Sequence, residues 1–540
     1  MDRQECLSYT DKNVCLTYMS QTLDEAVEGF EPSPELVSVM AGSRLPAILG
    51  LDIGTSGVRA ALFDEKGREI SDASVRIKSR TLRLGTGAFV DPDILLEQVA
   101  QTLDALFAKL YNPIHRIELI SVSCFWHSLL GIDDAERPTT PVLGWSDTRA
   151  AGATQLLRTT LNEAKFHART GCRFHPSYWP AKLLRLKEEE PEIWTRTIRW
   201  LSFSEYLALK FFGETAISVS MASGSGLLDQ RTCEWDMELL RALDVPVEKL
   251  SEIATSTRTF QSLNYEYAVR WPQLSEARLS PAIGDGAANN LGEGCVSVDT
   301  VALMIGTSGA MRVLIEDTPP DQLSPALWCY RADRRRIVIG GALSDGGSLF
   351  NWIKDSMLFG EDTQSINDEL QSLPPDGHGL TVLPFWLGER SPGWNTNARG
   401  GIFGTTLATR PIEILRAAME AVAYRFALVA NALERFAPGA RLVASGQALR
   451  SSPTWAQIVA DVLGRPLVLS EITEASTRGA ALLALEARGR IDSIGDFPVS
   501  TATSFEPDIA CHERYREGLK RQQQLYDRVI GNNQKRRTVK

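Results

Sequence analysis

No run in this 540-residue chain reaches the eighteen or so uncharged apolar residues needed to cross a bilayer, and its start lacks the basic-then-apolar pattern of a secretory signal. No membrane partner is expected, and the protein reads as cytoplasmic. A basic excess is missing as well: 57 Lys and Arg face 67 Asp and Glu, giving a net charge of −10 and a pI near 5.4. Nucleic acid is thereby a poor partner, because binding a phosphate backbone needs a basic face. The eight cysteines are scattered and form no C-x-x-C pair, which argues against a zinc frame or disulfide scaffold and fits reduced thiols in a core. Neither a G-x-x-x-x-G-K-[ST] loop nor a G-x-G-x-x-G after a strand is present, so any nucleotide must be held by other means.

What is there is an ordinary globular composition, 44% hydrophobic and 23% charged. A chain of this length exceeds what one core supports, so two domains of about 200 to 250 residues are expected. Residues 1–46 are polar and acidic and read as an N-terminal extension. A first domain of alternating strands and helices spans 47–280, including "DPDILLEQVAQTLDALFAKLY" (Asp91–Tyr111), where Asp91-Pro92 is a helix start. A second spans 281–508, and 509–540 reads as a solvated polar helix with a basic tail.

One pattern is written twice. "IGTSG" occurs at Ile53–Gly57 and again at Ile305–Gly309, each time after an apolar strand-like run and before a second one. That is a β-hairpin with a tight glycine turn. Glycine lets the backbone approach a ligand closely, and the small hydroxyls and N–H groups of such a tip can hold a phosphate. Two such tips, Gly54, Thr55 and Ser56 in one and Gly306 and Thr307 in the other, point to two lobes gripping one polyphosphate.

Between them lies "PAIGDGAANNLGEG" (Pro281–Gly294). A Gly-Asp-Gly alone is a turn more often than a site. Its place just before the second tip makes Asp285 the candidate general base, read as exposed and accessible. Asp52, ending the strand before the first tip, is placed to hold Mg²⁺, directly or through water. "SGQALRSSPTWAQIVADVLG" and "EASTRGAALLALEARG" are small-residue entries into helices, able to flank a purine and aim helix N-termini at phosphates.

Taken together, "GLDIGTSGVRAALFD", "GDGAANNLGEG", "MIGTSGAMRV", "LPFWLGERSPGWNTNARGGIFGTTLATRPIEILRAAMEAVAYR" and "SGQALRSSPTWAQIVADVLGRPL" with "EASTRGAALLA" resemble the FGGY carbohydrate kinases, over about 47–508. The resemblance implies an α/β fold of two ribonuclease-H-like, actin-like ATPase domains with an interdomain cleft. It also implies ATP and Mg²⁺ as cofactors, Asp285 as base, and Gly446 with Gln447 at the adenosine. Two departures stand out: the family usually has two glycines at 446–447, and tryptophan is common where this chain has Arg185, beside the matching Lys182.

By the same resemblance, Trp126, His127, Trp145, Asp147 and Arg149 line the sugar site, where flat faces and hydrogen-bonding groups suit a polyhydroxylated ligand. The "HSL" and "GWSDTRA" segments look closest to gluconate kinases, with Arg149, Arg173 or Lys182 available to a sugar-acid carboxylate. The expected reaction is ATP-dependent phosphorylation of a small sugar or sugar acid. Ketopentoses such as xylulose or ribulose, and a non-catalytic sugar- or nucleotide-binding regulator, stay open as alternatives. So does a homodimer.

Overall fold

The computed structural model describes residues 47–531 apart from 79–81, 85–86, 111–116, 256 and 361. The N-terminal extension and the end of the basic tail lie outside the described residues.

The first half begins as a meander: β1 (Ala47–Gly54), β2 (Gly57–Phe63) and β3 (Glu69–Lys78) pair antiparallel. Helix α1 (Pro92–Lys109) opens where expected, because the Asp91 carboxylate caps the N–H groups of Asp93 and Ile94 and Pro92 supplies a preset φ. The buried run β4 (Ile117–Cys124) then returns parallel to β1. After α2 (Trp179–Glu189), two short strands, β5 (Arg278–Leu279) and β6 (Ile283–Gly284), also pair with β4. The first sheet therefore runs past residue 280. The division expected at 280/281 falls between β5 and β6, because backbone pairing carries the chain along β4 until α3 (Asp285–Gly292) begins.

The second half repeats the plan. β7 (Thr300–Ile305), β8 (Gly309–Glu316) and, beyond the edge strand β9 (Trp328–Arg331), β10 (Arg336–Leu343) make the antiparallel part. After α4 (Pro411–Leu433), β11 (Arg441–Ser445) returns parallel to β7, with β12 (Leu467–Ser470) parallel beyond it. Antiparallel meander, then parallel returns beside the first strand: both sheets share this order. The duplicated letters thus mark a duplicated fold.

The halves meet where α3 crosses α6 (Ala475–Ala487) at backbone contact. A Cβ on Gly292 would lie 1.7 Å from Ala475 O, and one on Gly479 would lie 1.9 Å from Ala288 O. Neither position admits a side chain. The last helix, α7 (Ile509–Tyr526), is less solvated than its charge predicts: Tyr515, Gly518 and Gln522 are buried, and Gln522 Nε2 donates to the carbonyls of Val382 and Ala421. The six described cysteines are free, five of them buried, and no described helix is long and apolar enough to cross a membrane.

Candidate active site

A cleft of about 790 Å³ separates the two sheets. It gathers Asp52 and the first tip, Asp285, the second tip, and Gly446 with Gln447, residues spread over almost 400 positions of sequence. Parallel returns beside the first strand put both hairpins and the starts of α5 (Gln447–Ser451) and α6 on one opening.

Asp285 is the first residue of α3 and is half-buried in the cleft wall rather than freely exposed. The flanking glycines have a reason that is not a turn: Trp126 lies against them, and a Cβ on Gly284 or Gly286 would come within 1.9 or 2.5 Å of its indole. Trp126 is itself 5% exposed and donates its Nε1–H to Ser220 O. It therefore supports the acid from behind and does not line the cleft. The N–H groups of Gly286 and Trp126 reach Asp285 at 2.9 and 3.4 Å, both on Oδ1. Burial, and next the charge of Asp52, push the Asp285 carboxyl up to about 6, with Arg312 pulling the other way.

Asp52 is almost fully buried, with Arg59 Nη1 at 2.6 Å on one oxygen and Ser123 Oγ at 2.8 Å on the other. Arg312 is held by the side-chain oxygens of Asn289 and Asn290, and burial lowers it to about 10, still a cation at neutral pH. Sequence reasoning missed both arginines. A signal was present: each hairpin's return strand, "GVRAALF" and "GAMRVLIE", carries one arginine in an otherwise apolar run.

On the sugar side the picture is mixed. Trp145 lines the cleft. His127 sits behind it in an aromatic cluster with Trp126, Tyr178 and Tyr330, in the left-handed region at φ 70°, and burial lowers it to about 3. It is a neutral imidazole whose Nδ1–H donates to Gly224 O, which leaves Nε2 as an acceptor. Asp147 and Arg149 do not line the cleft; they bind each other, with Arg149 Nη2 2.6 Å from Asp147 Oδ2. Arg173 is paired to Glu163 and Arg185 to Glu190. Lys182, lowered to about 7 by burial, donates to the carbonyls of His127 and Leu143. These cations are committed to protein partners.

Two lobes of repeated topology, each offering a hairpin tip to one cleft with a carboxylate between them, define a phosphotransferase site. Residues 47–292 match the N-terminal domain, and 301–487 the C-terminal domain, of the FGGY family of carbohydrate kinases. The chain belongs to that family, is a kinase of the actin-like ATPase fold, and uses ATP as its kin do. It is 31% identical to a gluconokinase of Bacillus subtilis over 83% of this chain and 88% of that one. A solved gluconate kinase from Lactobacillus acidophilus superposes with a TM-score of 0.81 at 27% identity, covering 90% of this chain and 98% of the other. A ligand-bound xylulose kinase from the same organism gives 0.81 at 26%, with the same coverage.

Proposed function

We propose that this kinase phosphorylates gluconate, with Asp285 as general base. The observation that carries the mechanism is a half-buried carboxylate, raised to about 6, set between two phosphate tips. A sugar hydroxyl is a weak nucleophile, so a carboxylate must take its proton as the new bond to phosphorus forms. Both backbone donors hold Oδ1, which fixes the carboxylate and leaves Oδ2 for the hydroxyl. The tips at Gly54–Ser56 and Gly306–Thr307 cradle the phosphates, while Gly446 and Gln447 receive the adenosine side. Arg59 and Arg312 add positive charge near the transferring group. Most of the rate then comes from positioning and from excluding water as the lobes close.

Asp52 lines the cleft, and each of its oxygens keeps a second lone pair beside its present partner, so this carboxylate fits Mg²⁺ held directly or through water. When bound there, Mg²⁺ neutralises phosphate charge. The free buried cysteines and acidic balance support a cytoplasmic location.

Gluconate is favoured by the gluconokinase relatives, and the equally close xylulose kinase structure keeps a ketopentose as the second reading. Turnover of gluconate, xylulose and ribulose with ATP and Mg²⁺, measured side by side, tests this: gluconate should have the highest kcat/KM. A higher value for xylulose or ribulose, or phosphorylation of none of the three, refutes gluconate as the substrate.

A further inference from the structure

Beside the cleft lies a buried charge that the protein does not answer. Arg390 is 8% exposed; its Nη2 donates to Leu343 O at 2.8 Å, and its Nε has no partner. No ion pair to it is formed among the described residues. Its chain neighbour Glu389 is committed to Arg425, and the carboxylates that bear on its charge, Asp285 and Asp345, do so from a distance. Other buried arginines have more partners: Arg416 has Glu420, Arg336 has Glu486, Arg331 has the carbonyls of Gln230 and Arg334, and Arg312, also without an ion pair, has the side-chain oxygens of Asn289 and Asn290. A desolvated guanidinium without a counter-ion is costly unless something else supplies one.

The surroundings point to a ligand. The guanidinium stacks on Trp145, 4.4 Å from the ring centroid; Arg390 itself lies behind that ring, and Trp145 lines both the cleft that holds Asp285 and a narrow gap between the lobes next to His175 and Ser344. The buried indole N–H of Trp394 also lacks an acceptor, and its ring packs on His175 and Tyr178. Unmet donors around an aromatic wall suit a polyhydroxylated anion. Arg149, the expected partner of such an anion, is already taken by Asp147.

We infer that Arg390 receives the carboxylate of a sugar-acid substrate, whose hydroxyl chain runs along Trp145 toward Asp285. The inference rests on the sugar-acid reading above and assigns its specificity to one residue.

The test compares gluconate with gluconamide, the same chain without the charge, on the full-length protein and on Arg390→Gln and Arg390→Lys. KM is read for each, with calorimetric affinity for a non-hydrolysable ATP analogue as the control for folding. In Arg390→Gln the KM for gluconate should rise about 100-fold, and that for gluconamide less than about threefold. Arg390→Lys, which keeps the charge and loses the fork, should lose about tenfold on gluconate alone. Equal losses on both substrates, in whichever variant binds the analogue normally, overturn the inference and make Arg390 a brace for Trp145; gluconate turnover by the unmutated protein would then still stand. An unmutated protein that phosphorylates xylulose and neither gluconate nor gluconamide overturns both.

Discussion

The two "IGTSG" hairpins are spelled alike and built differently. In the first, Gly54 pairs with Gly57 across the two residues Thr55 and Ser56; in the second, Ile305 pairs with Gly309 across three. The second tip is also stapled, since Gly347 and Ser348 donate their N–H groups to the carbonyls of Gly306 and Thr307. Charge differs more. The first hairpin brings an acid, Asp52, with its own arginine, Arg59, paired to it; the second has Met304 before its tip, and its arginine, Arg312, is held by asparagines instead of an acid. One tip raises the proton affinity of Asp285 and the other lowers it. Duplication supplied the frame, and divergence of a few side chains set an acid and a cation to act in opposite senses on Asp285, the proposed base.

Asp285→Asn should have the largest effect, since it removes the group both hairpins act upon. An amide cannot accept the proton, so kcat should fall by about 10² to 10⁴-fold while ATP affinity stays within a few fold. Near-normal turnover would detach the base from both tips.

The glycines separate next. None of the four in the two motifs has positive φ, so each is there for room and not for turn geometry. A Cβ on the closing glycines would collide, at 2.6 Å from Ile77 O for Gly57 and 2.6 Å from Phe426 for Gly309. At the opening glycines it meets nothing nearer than 3.3 Å. Gly57→Ala should therefore cost about 1–3 kcal/mol of stability by overpacking. Gly306→Val should melt normally and yet weaken ATP about tenfold or more, because its side chain enters space the protein leaves open. Unchanged ATP affinity in folded Gly306→Val would remove the second tip from the phosphate site.

Protonation sharpens the contrast further. With Asp285 at about 6, kcat/KM should fall as pH drops below about 6. Removing the first hairpin's acid in Asp52→Asn should move that limb to lower pH, and removing the second hairpin's cation in Arg312→Met should move it higher; matching shifts would deny the opposition. The stability sign is set by the same group. Its folded pKa lies above the unfolded value near 3.8, so its contribution is full below about pH 4 and lost as pH rises through about 6. Two units correspond to about 3 kcal/mol. Thermal melts should show Asp285→Asn gaining on the unmutated protein between pH 4 and 7.

These contrasts were only partly legible in the sequence. The hairpins and the candidate acid before the second tip follow from local pattern, because strand, turn and strand are contiguous in the chain, while the interdomain cleft comes from the family resemblance. The role of Trp126 was misread: nothing within reach of it in sequence shows that Gly284 and Gly286 are small to admit its ring. Arg390 was invisible for the same reason, being more than 240 positions from the Trp145 it stacks on. Asp147 and Arg149 were close in sequence and offered to a ligand, yet neighbouring opposite charges satisfied each other first. Long-range packing decides which polar groups remain free, and a linear pattern does not carry it.

The smallest effect is expected at Gln447, where the second hairpin's half departs from two glycines. Gly446 cannot change, for it sits at φ 97° and a Cβ there would lie 2.3 Å from Ile305 O, in the strand that feeds the second tip. Gln447 is different. It is exposed at the first position of α5, lines the cleft, and its own side chain has no packing to lose. In the adenosine role proposed for it, one neutral hydrogen bond to the nucleotide would contribute about 0.5–1.5 kcal/mol net. Gln447→Gly should therefore raise the KM for ATP by no more than about tenfold, leave the KM for the sugar unchanged and cost at most about 1 kcal/mol in stability. A larger loss confined to ATP would mean that the glutamine has taken over a recognition role on this side of the cleft, and a loss in the sugar KM would tie α5 to closure of the lobes.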